Sequence, residues 1–355
     1  MPFFKSRRAL GLDIGSSSVK LVELEASGQG YRLARFGFAS LPAEAIVQGA
    51  FMNTAAISTA IRDACNGSRL QGRHLATSVS GHSVIVKKLT LPAQSPEELE
   101  ATIHWEAEQH IPFDINEVNV DHQIIQESAT DGQMEVILVA AKKELVDGYL
   151  GVICDAGLNL RVLDVDAFAI ANMYEHNYQP LAESNVALIN VGASVVNISV
   201  MNGGVPVFTR DLTTGGNSYT EAIQKDLNLS FEEAERIKLG DAPGDESKGI
   251  VPREVEDSMR GVSETLLGEI LRSIDFYRAT ASNRPIQRAL LCGGAARSPG
   301  LDRMLEEQAQ FPVELANPFE RIELSDSIAD RGTIVEIAPA LSVAVGLAMR
   351  GVNEP

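Results

Sequence analysis

The sequence predicts an α/β protein built from two related halves, and three observations lead there. Residues 12–24 align without a gap with residues 189–201, so Asp13 faces Asn190, Gly15 faces Gly192, Ser17 faces Ser194 and Lys20 faces Asn197. Strand-like and helix-like stretches alternate after each copy, which indicates layered sheets and helices. The chain has 355 residues, 45% of them hydrophobic and 22% charged, and its mean hydropathy is near zero. That is the composition of a folded protein, with length enough for two cores.

Each repeat reads as an apolar strand, a tight Gly-Ser turn and a second β-branched strand, a hairpin whose tip exposes backbone amides. Such amides, with serine hydroxyls, can cradle phosphate oxygens, and glycine permits the close approach. Strands are expected over 9–24 and 31–39, a helix over 52–66, and strands over 74–80 and 84–90. Ser95-Pro-Glu-Glu98 reads as a helix start with proline in the first turn, opening a helix to about 109. Strands over 117–126 and 133–140 form a hairpin across Thr130-Asp-Gly132, followed by a helix over 143–156 and a strand over 161–166. The second half repeats the rhythm with strands over 186–190, 195–201 and 205–211 and helices over 217–226, 231–238 and 255–280. A strand over 288–292, a helix over 300–310, an acidic irregular segment and a helix over 339–350 close it. Residues 240–251, rich in Gly, Asp and Pro, read as a surface loop.

Lys and Arg total 30 against 48 for Asp and Glu, a formal net charge of -18. Such a field repels phosphate backbones and anionic headgroups, which argues against nucleic-acid and direct membrane-surface binding. The apolar runs 134–141 and 186–191 are far shorter than the ~20 residues of a spanning helix, so no bilayer span is expected. The basic start does not lead into an apolar signal core. Phe3 and Phe4 beside Lys5, Arg7 and Arg8 have two readings, a frayed terminus or a membrane-touching segment. Cys65, Cys154 and Cys292 lack zinc or disulfide spacing and read as small core residues of a reducing compartment. The six histidines show no metal spacing, and His104 and His110 read as solvated helix faces.

Gly11-Leu-Asp-Ile-Gly-Ser16, Asn190-Val-Gly-Ala-Ser194, the acidic-then-alanine-rich segment 163–171, Leu291-Cys-Gly-Gly-Ala-Ala-Arg-Ser-Pro-Gly300 and Pro339-Ala-Leu-Ser-Val-Ala-Val-Gly346 occur in that order. Together they resemble the superfamily of actin, the heat-shock chaperone ATPases, sugar kinases and the division protein FtsA. Gly11-Leu-Asp-Ile-Gly-Ser-Ser-Ser-Val-Lys20 and Ile103-His-Trp-Glu-Ala-Glu-Gln-His-Ile-Pro-Phe113 are similar to the PilM family of type IV pilus assembly. The resemblance implies an actin-like (ribonuclease H-like) duplicated fold with an FtsA-type inserted subdomain. Its implied divisions are 1–81, 161–184 and 339–355 for a first core, 82–160 for the insert, 185–220 and 288–338 for a second core, and 221–287 for a further subdomain.

It also implies ATP and Mg2+ as cofactors. Asp13 would act on the metal through waters, because this small hard cation keeps much of its hydration shell. Gly15, Ser16, Ser17, Ser18 and Lys20 would meet the phosphates from one half, and Gly192, Ala193 and Ser194 from the other. Lys20 has a second reading as a surface strand residue. Gly293, Gly294 and Arg297 would hold the base, with local pairing the alternative for Arg297. Glu235 and Lys238, three apart on a helical face, match the family's ribose and base pair or form an ordinary ion pair. Asp166 is the candidate catalytic group. Asn190 stands where many relatives place an aspartate, so binding is better supported than turnover. The implied role is a cytoplasmic scaffold, peripheral to the inner membrane, that takes the N-terminal tail of a PilN-like single-pass protein in a groove between the insert and the first-half core. Other pilus assembly proteins and self-association are implied partners. A sugar-kinase-like phosphotransferase and an FtsA-like filament former are the alternatives, and Trp105 reads as core or as a partner contact.

Overall fold

The computed structural model describes residues 8–28, 30–66, 70, 73–129, 132–240, 253–280, 285–325, 328 and 331–353. Phe3, Phe4, Lys5, Arg7, the hairpin tip at Thr130 and Asp131, and the expected loop from 241 onward lie outside the described residues.

In chain order the first half comprises β1 (Arg8–Ile14), β2 (Ser18–Ser27), β3 (Gly30–Ser40), the two-residue strands β4 (Ile46–Val47) and β5 (Ala50–Phe51), α1 (Thr54–Ala64) and β6 (His74–Val79). It continues through β7 (Val84–Pro92), α2 (Pro96–His110), β8 (Val118–Ala129), β9 (Gln133–Lys142), α3 (Lys143–Asp155), β10 (Leu160–Val165) and α4 (Asp166–Tyr178). The second half holds β11 (Asn185–Val191), β12 (Val196–Asn202), β13 (Val205–Leu212), α5 (Asn217–Leu227), α6 (Phe231–Lys238), α7 (Arg253–Thr280), β14 (Arg288–Cys292), α8 (Leu301–Ala309) and β15 (Val313–Leu315). Strand β16 (Ile322–Leu324) and helices α9 (Arg331–Ile337) and α10 (Ser342–Asn353) return to the first half.

The repeat seen in the sequence is a repeat of sheet topology. One sheet runs β10-β6-β1-β2-β3-β16 and the other β13-β12-β11-β14-β15. In each, three antiparallel strands form a meander whose first strand pairs in parallel with a later one, β6 in the first half and β14 in the second.

Strand alternation sends successive side chains to opposite faces, and here both faces are covered. Leu10, Leu12 and Leu21 pack with Ile57 and Ile61 of α1, whereas Ala9 and Val22 face Ala344, Leu347 and Ala348 of α10. In the second sheet Ala187, Ile189 and Val191 meet Leu266 and Ile270 of α7, while Val186 and Leu188 join Ala169 and Met173 of α4 in the cluster that holds α10. Helices α4 and α10 thus form a central layer shared by both sheets. Their approach depends on glycine. A Cβ at Gly346 would lie 1.7 Å from the Ala169 carbonyl oxygen, and one at Gly11 would lie 1.9 Å from that of Ala344.

The helical run Arg331–Val352 is long and apolar enough to cross a bilayer, a stretch the sequence reading passed over. Its most apolar window is 67% buried inside the protein, and the small residues that make it apolar pack it against β1 and α4.

The third sheet, β7-β9-β8, belongs to the expected insert. Helix α2 starts with a capping box between Ser95 and Glu98, which satisfies two otherwise unpaired amides. It lays Leu99, Ile103 and Ala107 on that sheet beside Met134, Val136 and Leu138. The stripe that includes Ile111 faces inward as its spacing predicts, but Trp105 is 66% exposed and is not core. Helix α3, expected with the insert, packs Tyr149, Val152 and Ile153 into the cluster under the first sheet. All three cysteines are free, Cys65 and Cys292 buried and Cys154 exposed, which corrects the core reading for Cys154.

Candidate functional site

Strand β1 ends in the first Gly-Ser loop, and β1 and β2 place Asp13 directly opposite Lys20. Lys20 Nζ lies 3.0 Å from Asp13 Oδ2, and Lys20 is 9% exposed. It is therefore turned into the structure beside the loop, and its reading as a surface strand residue fails. Gly15 N–H donates to the Ser18 carbonyl at 3.1 Å and closes the turn that carries Ser16 and Ser17. Ser18 is buried and Ser17 exposed.

The second loop copies this geometry. Gly192 N–H donates to the Val195 carbonyl at 3.0 Å, at the positions equivalent to Gly15 and Ser18. Asn190 Nδ2 donates to Asn197 Oδ1 at 2.8 Å, where the first half has its ion pair. The loop is tied down by the start of α5. Gly216 N–H donates to the Gly192 carbonyl at 2.8 Å and Asn217 N–H to that of Ala193 at 2.7 Å, while Asn217 Nδ2 donates to Ser194 Oγ at 3.3 Å.

Around this second loop the other expected groups gather. Gly293 adopts φ +91°, and a Cβ there would fall 2.3 Å from the Val191 carbonyl oxygen and 2.7 Å from Asn190 Oδ1. The backbone following β14 therefore passes directly beside the loop, and the turn 294–297 places Ala295 next to Gly216. Arg297 Nη2 donates to the Val335 carbonyl of α9 at 3.2 Å, the local pairing considered for it. Glu235 and Lys238 pair at 2.6 Å, and Lys238 Nζ also donates to Thr220 Oγ1 at 2.9 Å and to the Gly216 carbonyl at 3.3 Å. Thr220 donates to Glu235. This pair is anchored to the start of α5, unlike an isolated surface ion pair.

Asp166 opens α4, where a negative charge suits the helix N-terminus, and Ser78 Oγ donates to its Oδ1 at 2.5 Å. Burial pushes its carboxyl up to about 6, the charge of Asp13 adds to that, hydrogen bonds from Ser78 and Ser80 pull the other way, and Asp211 pushes it up further. Tyr149 of α3 is also driven upward, by burial and by Asp166 and Asp13. Asp13 from one half and Asp211 from the other thus both raise the Asp166 carboxyl. Among the described residues, no group of three or more His, Cys, Asp or Glu forms a metal cage.

Asp211, at the end of β13, was missed. Its Oδ1 accepts from Asn197 Nδ2 at 2.9 Å, and its Oδ2 accepts from Gly81 N–H of the first half at 2.7 Å. The signal was the polar sequence position opposite Asn197, but only the strand register discloses it.

A cavity of about 580 Å³ lies beside the insert, with Lys87 and Lys88 of β7, Phe168 of α4, and Val207, Phe208 and Phe276 of the second half in its walls. The cavity borders the insert and α4, and β13 and α7 of the second half supply the rest of its walls.

Two sheets of one topology, sharing helices α4 and α10 and each presenting a Gly-Ser loop beside the cleft, define an actin-like protein. The chain belongs to the family of type IV pilus assembly protein PilM, which it matches over residues 11–352. The structure of a PilM–PilN type IV pilus biogenesis complex aligns with 98% of this chain and 99% of that chain, at 31% identity and a TM-score of 0.84. The cell division protein FtsA of Bacillus subtilis is 24% identical over 349 residues, covering 87% of this chain and 78% of that protein. MreB5 of Spiroplasma citri, in a structure bound to ADP, aligns with 96% of this chain and 94% of that one at 13% identity and a TM-score of 0.52, a likeness of fold.

Proposed function

We propose that this protein is a cytoplasmic ATP-binding scaffold of the type IV pilus machine, held at the inner membrane by the N-terminal tail of a PilN-like protein. The observation that carries the nucleotide reading is the paired loop geometry, in which Gly15 and Gly192 close equivalent turns on either half. The residues fit Mg-ATP. Asp13 and Asp166 are hard oxygen donors of the kind magnesium takes, directly or through water. Ser16, Ser17, Ser18, Ala193 and Ser194 line the turns with the hydroxyls and amides that suit phosphate oxygens. Gly293 brings the backbone against the second loop, Gly294 faces open space where a base would sit, with Arg297 at its edge, and Glu235 with Lys238 would face the ribose. Bound metal would supply charge neutralisation to the phosphates.

Asn190 is neutral and cannot take a proton as a carboxylate does, so the reading is of binding with slow hydrolysis at most. Asp166 is the group that would orient water if turnover occurs. For the tail, the family and its PilM–PilN relative support the partner. The cavity beside β7 supplies apolar walls and a strand edge, since among the described residues β7 pairs only with β9, and an extended segment gains affinity from such an edge.

Calorimetry tests the first part. Wild type should bind Mg-ATP, and Asp13→Ala should lose magnesium-dependent binding with its circular dichroism unchanged. Equal affinity in both proteins overturns the role of Asp13. For the second part, a synthetic tail peptide titrated into intact protein should slow amide exchange in β7. Absence of binding, or protection confined to residues 186–338, removes the groove.

A further inference from the structure

The two copies of the repeat solve the same position differently. In the first, Asp13 faces Lys20, and the next strand presents Phe38 opposite Lys20. In the second, Asn190 faces Asn197, and the next strand presents Asp211 opposite Asn197. The carboxylate that the first copy carries on its first strand is found, in the second, on the third strand, two amides away.

This relocation fixes the direction of a hydrogen-bonded chain. A carboxylate only accepts, so Asn197 must turn Nδ2 toward Asp211 and Oδ1 toward Asn190. Asn190 then donates through Nδ2 and points Oδ1 at the Gly293 backbone. Both amides are buried, Asn190 at 7% and Asn197 at 3% exposure, where a reversed amide would leave polar atoms facing like atoms. The free end of the chain crosses to the other half. Asp211 Oδ2 accepts the N–H of Gly81 at 2.7 Å, just beyond Ser78, which holds Asp166.

We propose that Asp211 is a positioning residue that makes closure of the cleft and orientation of the second phosphate loop one event. With the halves together, the Gly81 amide holds Asp211, Asp211 holds Asn197, and Asn197 holds Asn190 beside Gly293. When the halves separate, the Gly81 bond breaks and the amide pair loses its anchor. A hydrogen bond to a charged acceptor is the stronger kind, and the exposed location of Asp211 brings the salt dependence of a screened charge. The coupling to nucleotide rests on the proposed function, whereas the latch itself does not.

The test is amide exchange across residues 79–84 of the intact chain for wild type, Asp211→Asn and Asp211→Ala, at low and high salt, together with Mg-ATP titration of each. In nucleotide-free protein, Asp211→Ala should speed exchange of the Gly81 amide about five- to ten-fold, the size expected for losing one charge-assisted bond at a surface. The core strands β1 and β11 should be unchanged. Asp211→Asn, which keeps the shape but frees the Asn197 amide to turn, should fall between the two and should lose the salt dependence seen in wild type. Mg-ATP should bind both variants about five- to ten-fold more weakly. Unchanged Gly81 exchange in Asp211→Ala overturns the latch. Faster exchange with unaltered Mg-ATP affinity overturns the coupling. A wild type that takes no Mg-ATP sinks the nucleotide reading alone, and Gly81 exchange still decides the latch.

Discussion

Replacing Asp166 by asparagine should make the nucleotide-free protein more stable at neutral pH. Asp166 is held at the start of α4 with its carboxyl raised from 3.8 to about 6, by burial first and then by Asp13. The folded state therefore binds this proton more tightly than the unfolded state does. Its contribution to stability is fully present below about pH 4 and is lost as pH rises through about 6. A displacement of about two pH units corresponds to about 3 kcal/mol at about 1.36 kcal/mol per unit. Asp166 keeps some contact with solvent, so that figure is an upper bound and a gain of about 1–3 kcal/mol is expected for Asp166→Asn at pH 7.5. Asparagine retains an oxygen that accepts from Ser78, so the exchange removes charge with little change of shape.

Urea unfolding at pH 7.5 and at pH 4.5 measures this, provided the slope of free energy against denaturant is the same for both proteins. The variant should have the higher midpoint at pH 7.5, and most but not all of the difference should be gone at pH 4.5. Equal midpoints at pH 7.5, or a difference that does not diminish on acidification, would refute the account of Asp166 as a strained carboxylate kept for function.

Hydrolysis of ATP should be slow or undetectable, because Asn190 replaces a carboxylate. Steady-state turnover well above ~1 s⁻¹, inside the ordinary enzymatic range, would revive the phosphotransferase alternative, and any measurable rate should fall further than binding does in Asp166→Ala. Gly346→Ala should destabilise the protein by about 3 kcal/mol or more, the upper part of the range for overpacking, since the new methyl would meet the Ala169 carbonyl. An unchanged thermal midpoint would mean that the contact between α4 and α10 is not tight in solution.

The parts of the fold legible in the sequence were those with local causes. The Gly-Ser turns, the apolar strands β1 and β11, and the capping box at Ser95 each depend on a few neighbouring residues, and their positions were found within a few residues. Strands β15 and β16 have three residues each, too few for alternation to register, and β16 is recruited by β3 from nearly 300 positions earlier. The placement of α3 under the first sheet depends on how the chain returns from the insert, which no periodicity encodes. Lys20 had two readings because alternation gives two faces and only the pairing with Asp13 selects one. Trp105 lies two residues from Ile103 on α2, about 200° around the helix, so the same stripe that buries Ile103 and Ala107 turns the tryptophan outward. Asp211 was invisible for a different reason: its partners lie on a neighbouring strand and in the other half.

The divergence of the two repeats also explains why such a cleft would hold nucleotide without consuming it. In the first copy the charge of Asp13 is balanced by Lys20 at 3.0 Å, so this lysine is already committed when phosphates arrive. Asp166 and Asp211 add negative charge that the described cleft residues do not offset in the same way, and a triphosphate adds more. At separations of several ångströms such repulsions reach kcal/mol in a partly buried site. A divalent cation held by Asp13 would remove most of that repulsion, which on the proposed reading would make the metal a condition of binding. Hydrolysis needs in addition a group that takes a proton from water at the correct place. In the second copy the position equivalent to Asp13 holds an amide whose Nδ2 is bonded to Asn197 and whose orientation traces back to Asp211. A side chain fixed in that way serves to position and not to accept a proton, so on the proposed reading the second copy would offer a metal no carboxylate at this position.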